Sequence, residues 1–172
     1  MAEKPVRLSV CKYISVLLRP EIIAIALFRI SHLFYEKKCR CVASFFYKAK
    51  LLLSGADINP ASEIGPGCLI VHTVGTVIFG VIGENATLFT HAVIMPAETG
   101  ADLSSAPVLG DNVVLGALAT IVGPVTIAKN VIIAPFSLID ESISEENCLV
   151  SKVKGKAEIK AVKKMHMESR SD

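Results

Sequence analysis

The sequence has no tryptophan, and aromatic residues make up only 6% of its 172 positions. Proteins that hold single-stranded nucleic acid stack its bases on aromatic rings in a basic groove. A formal net charge of +2 supplies no such groove, so nucleic acid is excluded as the expected partner. The five cysteines (Cys11, Cys39, Cys41, Cys68, Cys148) contain no CxxC pair. An odd count without a secretory signal reads as reduced thiols in a cytoplasmic protein. A membrane span is also missing. The nearest candidate, Ile14 to Tyr35, is interrupted by Arg19, Pro20, Glu21, Arg29 and His32, whereas a span needs about 20 mostly apolar residues in a row.

What the chain has in quantity is aliphatic side chains. Apolar residues make up 52% and charged ones 20%, a surplus that points to apolar surface buried between subunits. Residues 1–54 carry a helical period. Ile23, Leu27, Ile30 and Phe34 form one stripe, and Val42, Phe45, Ala49 and Leu52 form another. Pro20 suits the first turn of a helix, where its missing N–H costs nothing. Helices are expected over 5–18, 21–36 and 40–53. Their stripes fit the β domain, another subunit or a membrane surface, and packing within the protein is the plainest of these.

From Asp57 the period becomes six. Counting from Ile58 gives Ile64, Ile70, Thr76, Ile82, Leu88 and Ile94, and the count resumes at Leu109, Leu115, Ile121, Ile127, Ile133 and Ile139. Twelve of these thirteen positions are Ile or Leu, and eleven of the residues four places later are small or Val. Such a hexapeptide repeat predicts a mainly β fold, a left-handed parallel β-helix over 55–151 behind a small helical region. Three units make one triangular coil, and the large aliphatics stack inside it. Residues 95–108, with Pro96, Gly100 and Pro107, leave the prism as an excursion loop, three residues longer than the repeat allows for. Such loops often carry function. Residues 152–172 form a basic tail, expected to begin with a strand or short helix covering the open end of the prism.

Two histidines fall in the repeat. His72 stands two places after the ladder residue Ile70, at a corner where its ring reaches the surface. Asp57 lies fifteen residues earlier, near the same corner one coil below. A carboxylate that accepts from one ring nitrogen leaves the other free to act as a base. His91 follows His72 by one coil plus one residue, so the two can flank one cleft. A three-histidine zinc site, as in γ-type carbonic anhydrases, cannot be assembled from these two, and no metal is expected.

The stretch GADINPASEIGPGCLIVHTVG (55–75) resembles the serine acetyltransferase family, with its Asp-Ile-His-Pro-Ala segment and catalytic His-x-x-Gly. The likeness continues through IGENATLFTHAVIM and LGDNVVLGALATIVGPVTIAKNVIIAPFSLI. It implies a homotrimer that uses acetyl-CoA, with His72 as general base and Asp57 as its partner. Gly116, Ala119, Ala134 and Ser137 stand where that family has its glycine-rich coenzyme turns. Lys152, in the basic stretch, is a candidate for the coenzyme's phosphates. Leu118 and Pro135–Phe136 depart from the pattern, and so does Met95-Pro96-Ala97-Glu98 in place of a Gly-Gly-Thr-Gly turn. The resemblance further implies a small-molecule acceptor, and Val71 and Ser105-Ala106-Pro107 replace the charged groups that would hold serine. FTHAVIM, with His91, looks more like the capsule and colanic-acid O-acetyltransferases, which acetylate sugars. The reading is therefore direct acetyl transfer to a hydroxyl of a small molecule or sugar. Serine O-acetylation and a non-catalytic trimeric scaffold are its alternatives. Cys68 sits at a small inward position, so no acyl-enzyme is expected. The helical stripes also offer a surface for pairing two trimers.

Overall fold

The computed structural model describes residues 15–153 and 156–161. Most of the helix expected over 5–18, with the end of the basic tail, lies outside them. Helices α1 (Pro20–Glu36) and α2 (Arg40–Ser54) form a hairpin. Pro20 opens α1, and Gly55 closes α2 in the left-handed conformation at φ 69°, which glycine adopts without a Cβ penalty. Phe34 stacks on Phe46 at 5.9 Å, and Ser31 Oγ–H donates to the Ala43 carbonyl at 2.8 Å.

Residues from Asp57 onward wind into a parallel β-helix of three faces. The first face holds β1 (Asp57–Ile58), β4 (Val77–Ile78), β7 (Val93–Met95), β10 (Thr120–Val122) and β13 (Leu138–Ile139). The second holds β2 (Glu63–Ile64), β5 (Val81–Ile82), β8 (Val108–Leu109) and β11 (Thr126–Ile127). The third holds β3 (Leu69–Val71), β6 (Thr87–Phe89), β9 (Val114–Leu115), β12 (Ile132–Ile133) and β14 (Cys148–Val153), and β15 (Lys156–Ala161) pairs antiparallel to β14. This hairpin begins inside the repeat and runs past residue 152, where the tail was expected to start.

Each face stacks one buried aliphatic per coil. On the first, Ile58, Ile78, Ile94, Ile121 and Ile139 are in register. Ile64, Ile82, Leu109, Ile127 and Ile143 form the second ladder, and Ile70, Leu88, Leu115, Ile133 and Val150 the third. Each such side chain contributes about 1.5–3 kcal/mol through removal from water.

Two expectations are corrected here. Ile78, not Thr76, occupies the ladder. Eight residues separate Ile70 from Ile78 and only four separate Ile78 from Ile82, so an insertion of two and a deletion of two cancel in a count by sixes. Thr76 instead points into the prism at a small corner position, with its hydroxyl buried and unpartnered, and Val74 lies outside at 61% exposure. Likewise Ile94 and Leu109 sit on successive faces, one step apart. The excursion loop therefore exceeds the six-residue step by nine residues, not three.

The helices close the open end of the first coil. Arg29 donates to the carbonyls of Ile64 and Gly65 at 2.5 and 2.7 Å, Lys50 to that of Ile58 and His32 Nδ1 to that of Pro60 at 2.9 Å. Strand carbonyls at a solenoid's end have no next coil, and unpaired they would cost stability. The docked face of α2 is accordingly polar, with Ala43, Lys50 and Ser54 buried. Its apolar stripe, expected to pack inward, points away from the prism.

Candidate active site

The corner between the third and first faces gathers the candidate residues. One residue per coil there is left-handed: Gly55, Gly75, His91, Leu118 and Phe136, with φ between 56° and 71°. His72 adds a second left-handed residue, φ 58°, in the coil that holds the two inserted positions. A non-glycine residue in this region costs of order 1–3 kcal/mol and persists where surrounding contacts enforce it, often at functional sites. Here Thr73 Oγ1–H donates to the Ser54 carbonyl at 2.5 Å, and Gly75 N–H donates to the Gly55 carbonyl at 3.1 Å. The turn is thus tied to the end of α2, and the His72 ring is left exposed.

His91 lies against the same turn. A Cβ on Gly75 would come within 2.4 Å of its Cδ2 and 2.7 Å of its Nε2, so only glycine lets this ring rest on the His72 loop. Thr90 Oγ1 is 2.9 Å from His91 Nδ1. The two histidines expected to flank one cleft are brought to one corner in successive coils. Val71 ends β3 beside them, half-buried.

Asp57 has a different partner from the expected one. Tyr47 Oη–H donates to its Oδ1 at 2.7 Å, and no hydrogen bond joins it to His72 among the described residues. Lys50 lies over the Tyr47 ring, 4.7 Å from its centroid. Burial pushes Lys50 down to about 8, and the Asp57 charge partly restores it. Burial first, then the bond and charge of Asp57, push Tyr47 up to about 12. Tyr47 and Lys50 went unnoticed as site residues, although with Ala43 and Ser54 they mark one face of α2 at spacings of four, three and four.

The coenzyme candidates are mostly interior. Ala119 and Ser137 are 0% and 1% exposed, because the residue two before each first-face ladder position points into the prism. Ser137 Oγ accepts from the Lys152 amide at 3.3 Å. Gly116 is needed for coil stacking, since a Cβ there would meet Pro135 N at 2.6 Å. Of the four, Ala134 reaches the surface, and the corner's outer wall is Leu118 and Phe136, 46% and 67% exposed. Lys152 is held between Asp140 and Glu141, which occupies its ammonium. Ala106, in the segment set against the family's acceptor loop, is buried.

Cys68 is packed against the core, and burial pushes its thiol up to about 11 despite the nearby Arg29. Few such thiols are ionised at neutral pH, so Cys68 is a poor nucleophile. Among the described residues no three His, Cys, Asp or Glu side chains converge as metal ligands would. A separate cleft of about 860 Å³ opens between α1 and the excursion loop, lined in part by His32, Glu36, Glu63 and Asp102. None of the corner residues line it.

The model of the bacterial transferase hexapeptide (six repeats) matches residues 106–141. Those residues carry the hexapeptide repeat of the bacterial transferases. A serine acetyltransferase from Staphylococcus xylosus is 31% identical over 124 residues, covering 70% of this chain and 56% of that protein. The crystal structure of Neisseria gonorrhoeae serine acetyltransferase superposes with a TM-score of 0.79 at 26% identity, covering 89% of this chain and 60% of that one. The Brucella abortus serine acetyltransferase, solved with coenzyme A, shares the fold with a TM-score of 0.75 at 23% identity over 81% of this chain and 55% of its own. The chain spans little more than half the length of the first curated relatives it matches.

Proposed function

We propose that this protein is an O-acetyltransferase that moves an acetyl group from acetyl-CoA to a hydroxyl of a small molecule. The observation that carries this reading is the His72 corner, where an exposed imidazole on a left-handed backbone sits on the turn that His91 lies against. His72 takes the proton of the acceptor hydroxyl as that oxygen attacks the thioester carbonyl. The tetrahedral intermediate collapses, the C–S bond breaks, and the imidazolium returns the proton to the leaving thiolate. An ester and free CoA result. Asp57, with Oδ1 taken by Tyr47, offers Oδ2 to orient the imidazole. The apolar outer wall of the corner, Leu118 and Phe136 with the half-buried Ala134, suits a thin pantetheine arm lying in a groove between neighbouring prisms of a homotrimer.

Similarity favours L-serine as the acceptor, since the relatives named above are serine acetyltransferases. One observation supports a second reading, a sugar or other uncharged alcohol. Val71 is beside His72, and Ala106 is buried, so neither supplies the charges an amino acid's ammonium and carboxylate need. A site lacking such partners loses several kcal/mol of recognition.

The test is thiol release from acetyl-CoA in the presence of L-serine, UDP-sugars or simple glycosides. Turnover with one of these acceptors is expected, and His72→Ala should lower it by about 10²–10⁴. Full activity in His72→Ala would falsify the mechanism, and the acceptor that turns over decides between serine and neutral alcohols.

A further inference from the structure

Helix α2 is amphipathic in the reverse of the usual sense. Its polar face docks on the prism, while Phe45, Leu52 and Leu53 point outward at 67%, 85% and 59% exposure. On α1, Ile22, Ile30 and Leu33 are also exposed, at helical spacings of eight and three that keep them on one side. Isolated exposed apolar residues are ordinary, but exposed stripes on both helices of one hairpin mark an interaction surface.

Charge identifies the partner. Residues 1–54 hold ten Lys and Arg against three Asp and Glu, whereas residues 55–172 hold eight against thirteen. In the hairpin, Arg29 and Lys50 are used on the first coil's carbonyls. Arg19, Lys37, Lys38, Arg40 and Lys48 are exposed, and none of them forms an ion pair among the described residues. Lys48 falls three residues after Phe45 and four before Leu52, so it stands in the apolar stripe itself. Its ammonium can reach past the stripe while its methylenes lie along it.

We propose that the α1–α2 hairpin is a docking surface for an anionic lipid membrane, lying on the headgroups and inserting its apolar stripe. A basic amphipathic helix has the composition for this, and each cation near an anionic surface adds to the attraction. A second copy of the chain fits less well, because it would set the same five unpaired cations against one another. The attachment is peripheral, since no described helix is long and apolar enough to cross a membrane. It holds the prism and the His72 corner beside the lipid without involving them in binding.

Flotation of the full-length protein with vesicles tests this, using phosphatidylcholine alone and phosphatidylcholine mixed with phosphatidylglycerol. The protein should float with the anionic vesicles, remain below with the neutral ones, and be released by added salt. Phe45→Glu/Leu52→Glu should abolish flotation. Arg40→Glu/Lys48→Glu, which keeps Phe45, Leu52 and Leu53, should weaken it by about tenfold or more. Failure to float with anionic vesicles would overturn the proposal, as would equal flotation with both kinds or indifference to Arg40→Glu/Lys48→Glu. A fall in assembly mass in Phe45→Glu/Leu52→Glu would also overturn it, by showing that the face joins copies of the chain.

Discussion

Lys50, Tyr47 and Asp57 form a compact polar group beneath the candidate site, and their titration is visible in stability. Folded Lys50 titrates near 8 against 10.5 for an ordinary lysine. Below about 8 it is charged in both states, and the burial penalty is fully present. Above 8 the folded chain loses its proton first, so the unfolded state binds more protons and stability rises with pH. Cys68 and Tyr47 act in the opposite direction. Their folded values, about 11 and about 12, exceed the ordinary 9.0 and 10.0, so the stability they lend is full below those ordinary values and is lost as pH climbs through the folded ones. The urea midpoint should therefore rise between pH 8 and 9 and fall between pH 10 and 12. In Lys50→Met the rise should vanish and the fall remain. A wild-type midpoint that drops from pH 8 to 9 would contradict the assignment of Lys50.

The corner between the second and third faces depends on another element-level device. Gly67, Asn85, Asn112, Asn130 and Asn147 are all left-handed there. Asn112 Nδ2 donates to Asn130 Oδ1 at 2.9 Å, and Asn130 Nδ2 to Asn147 Oδ1 at 3.1 Å. Asn130→Ala should cost about 2–3 kcal/mol in denaturant unfolding, about 1 for the backbone and the rest for two lost hydrogen bonds. Asn130→Gly keeps the turn and should cost about half as much. This column is readable in GEN, GDN and AKN, each ending three places after a ladder residue, a signal separate from the aliphatic period. The ladders themselves were legible because interior space admits one large aliphatic per step. Thr76 was misassigned because a two-residue insertion and deletion restore the count by Ile82, and that insertion is what gives the His72 turn its extra length. The spacing of Ala43, Tyr47, Lys50 and Ser54 on α2 was legible, but not that this face is the docked one. Its docking depends on capping the carbonyls of the first coil, an unpaired set that exists only once the prism has formed.

At the scale of the whole molecule, the third-to-first corner holds surface that a lone prism would not be expected to leave in water. Phe89, Leu118, Phe136 and Leu138 are each more than a third exposed. Leu118 and Phe136 also adopt φ 61°, where glycine would be unstrained and a bulky residue costs roughly 1–3 kcal/mol. Burial of a Phe or Leu against a neighbouring subunit returns about 1.5–3 kcal/mol each, enough to offset that strain only if the corner is covered. A closed threefold ring would cover it on every subunit, since cyclic assembly leaves no corner unpartnered. With a chain of 18.4 kDa, light scattering should report about 55 kDa for a trimer. Phe136→Glu, at an exposed position outside the ladders, should release folded monomers. Because the coenzyme groove is proposed to lie between prisms, acetyl-CoA should raise the melting temperature of the wild-type assembly by mass action and have no effect on the Phe136→Glu monomer. A Phe136→Glu protein that keeps the wild-type mass would move the seam to another face. A monomer still stabilised by acetyl-CoA would move the coenzyme site out of the groove between prisms.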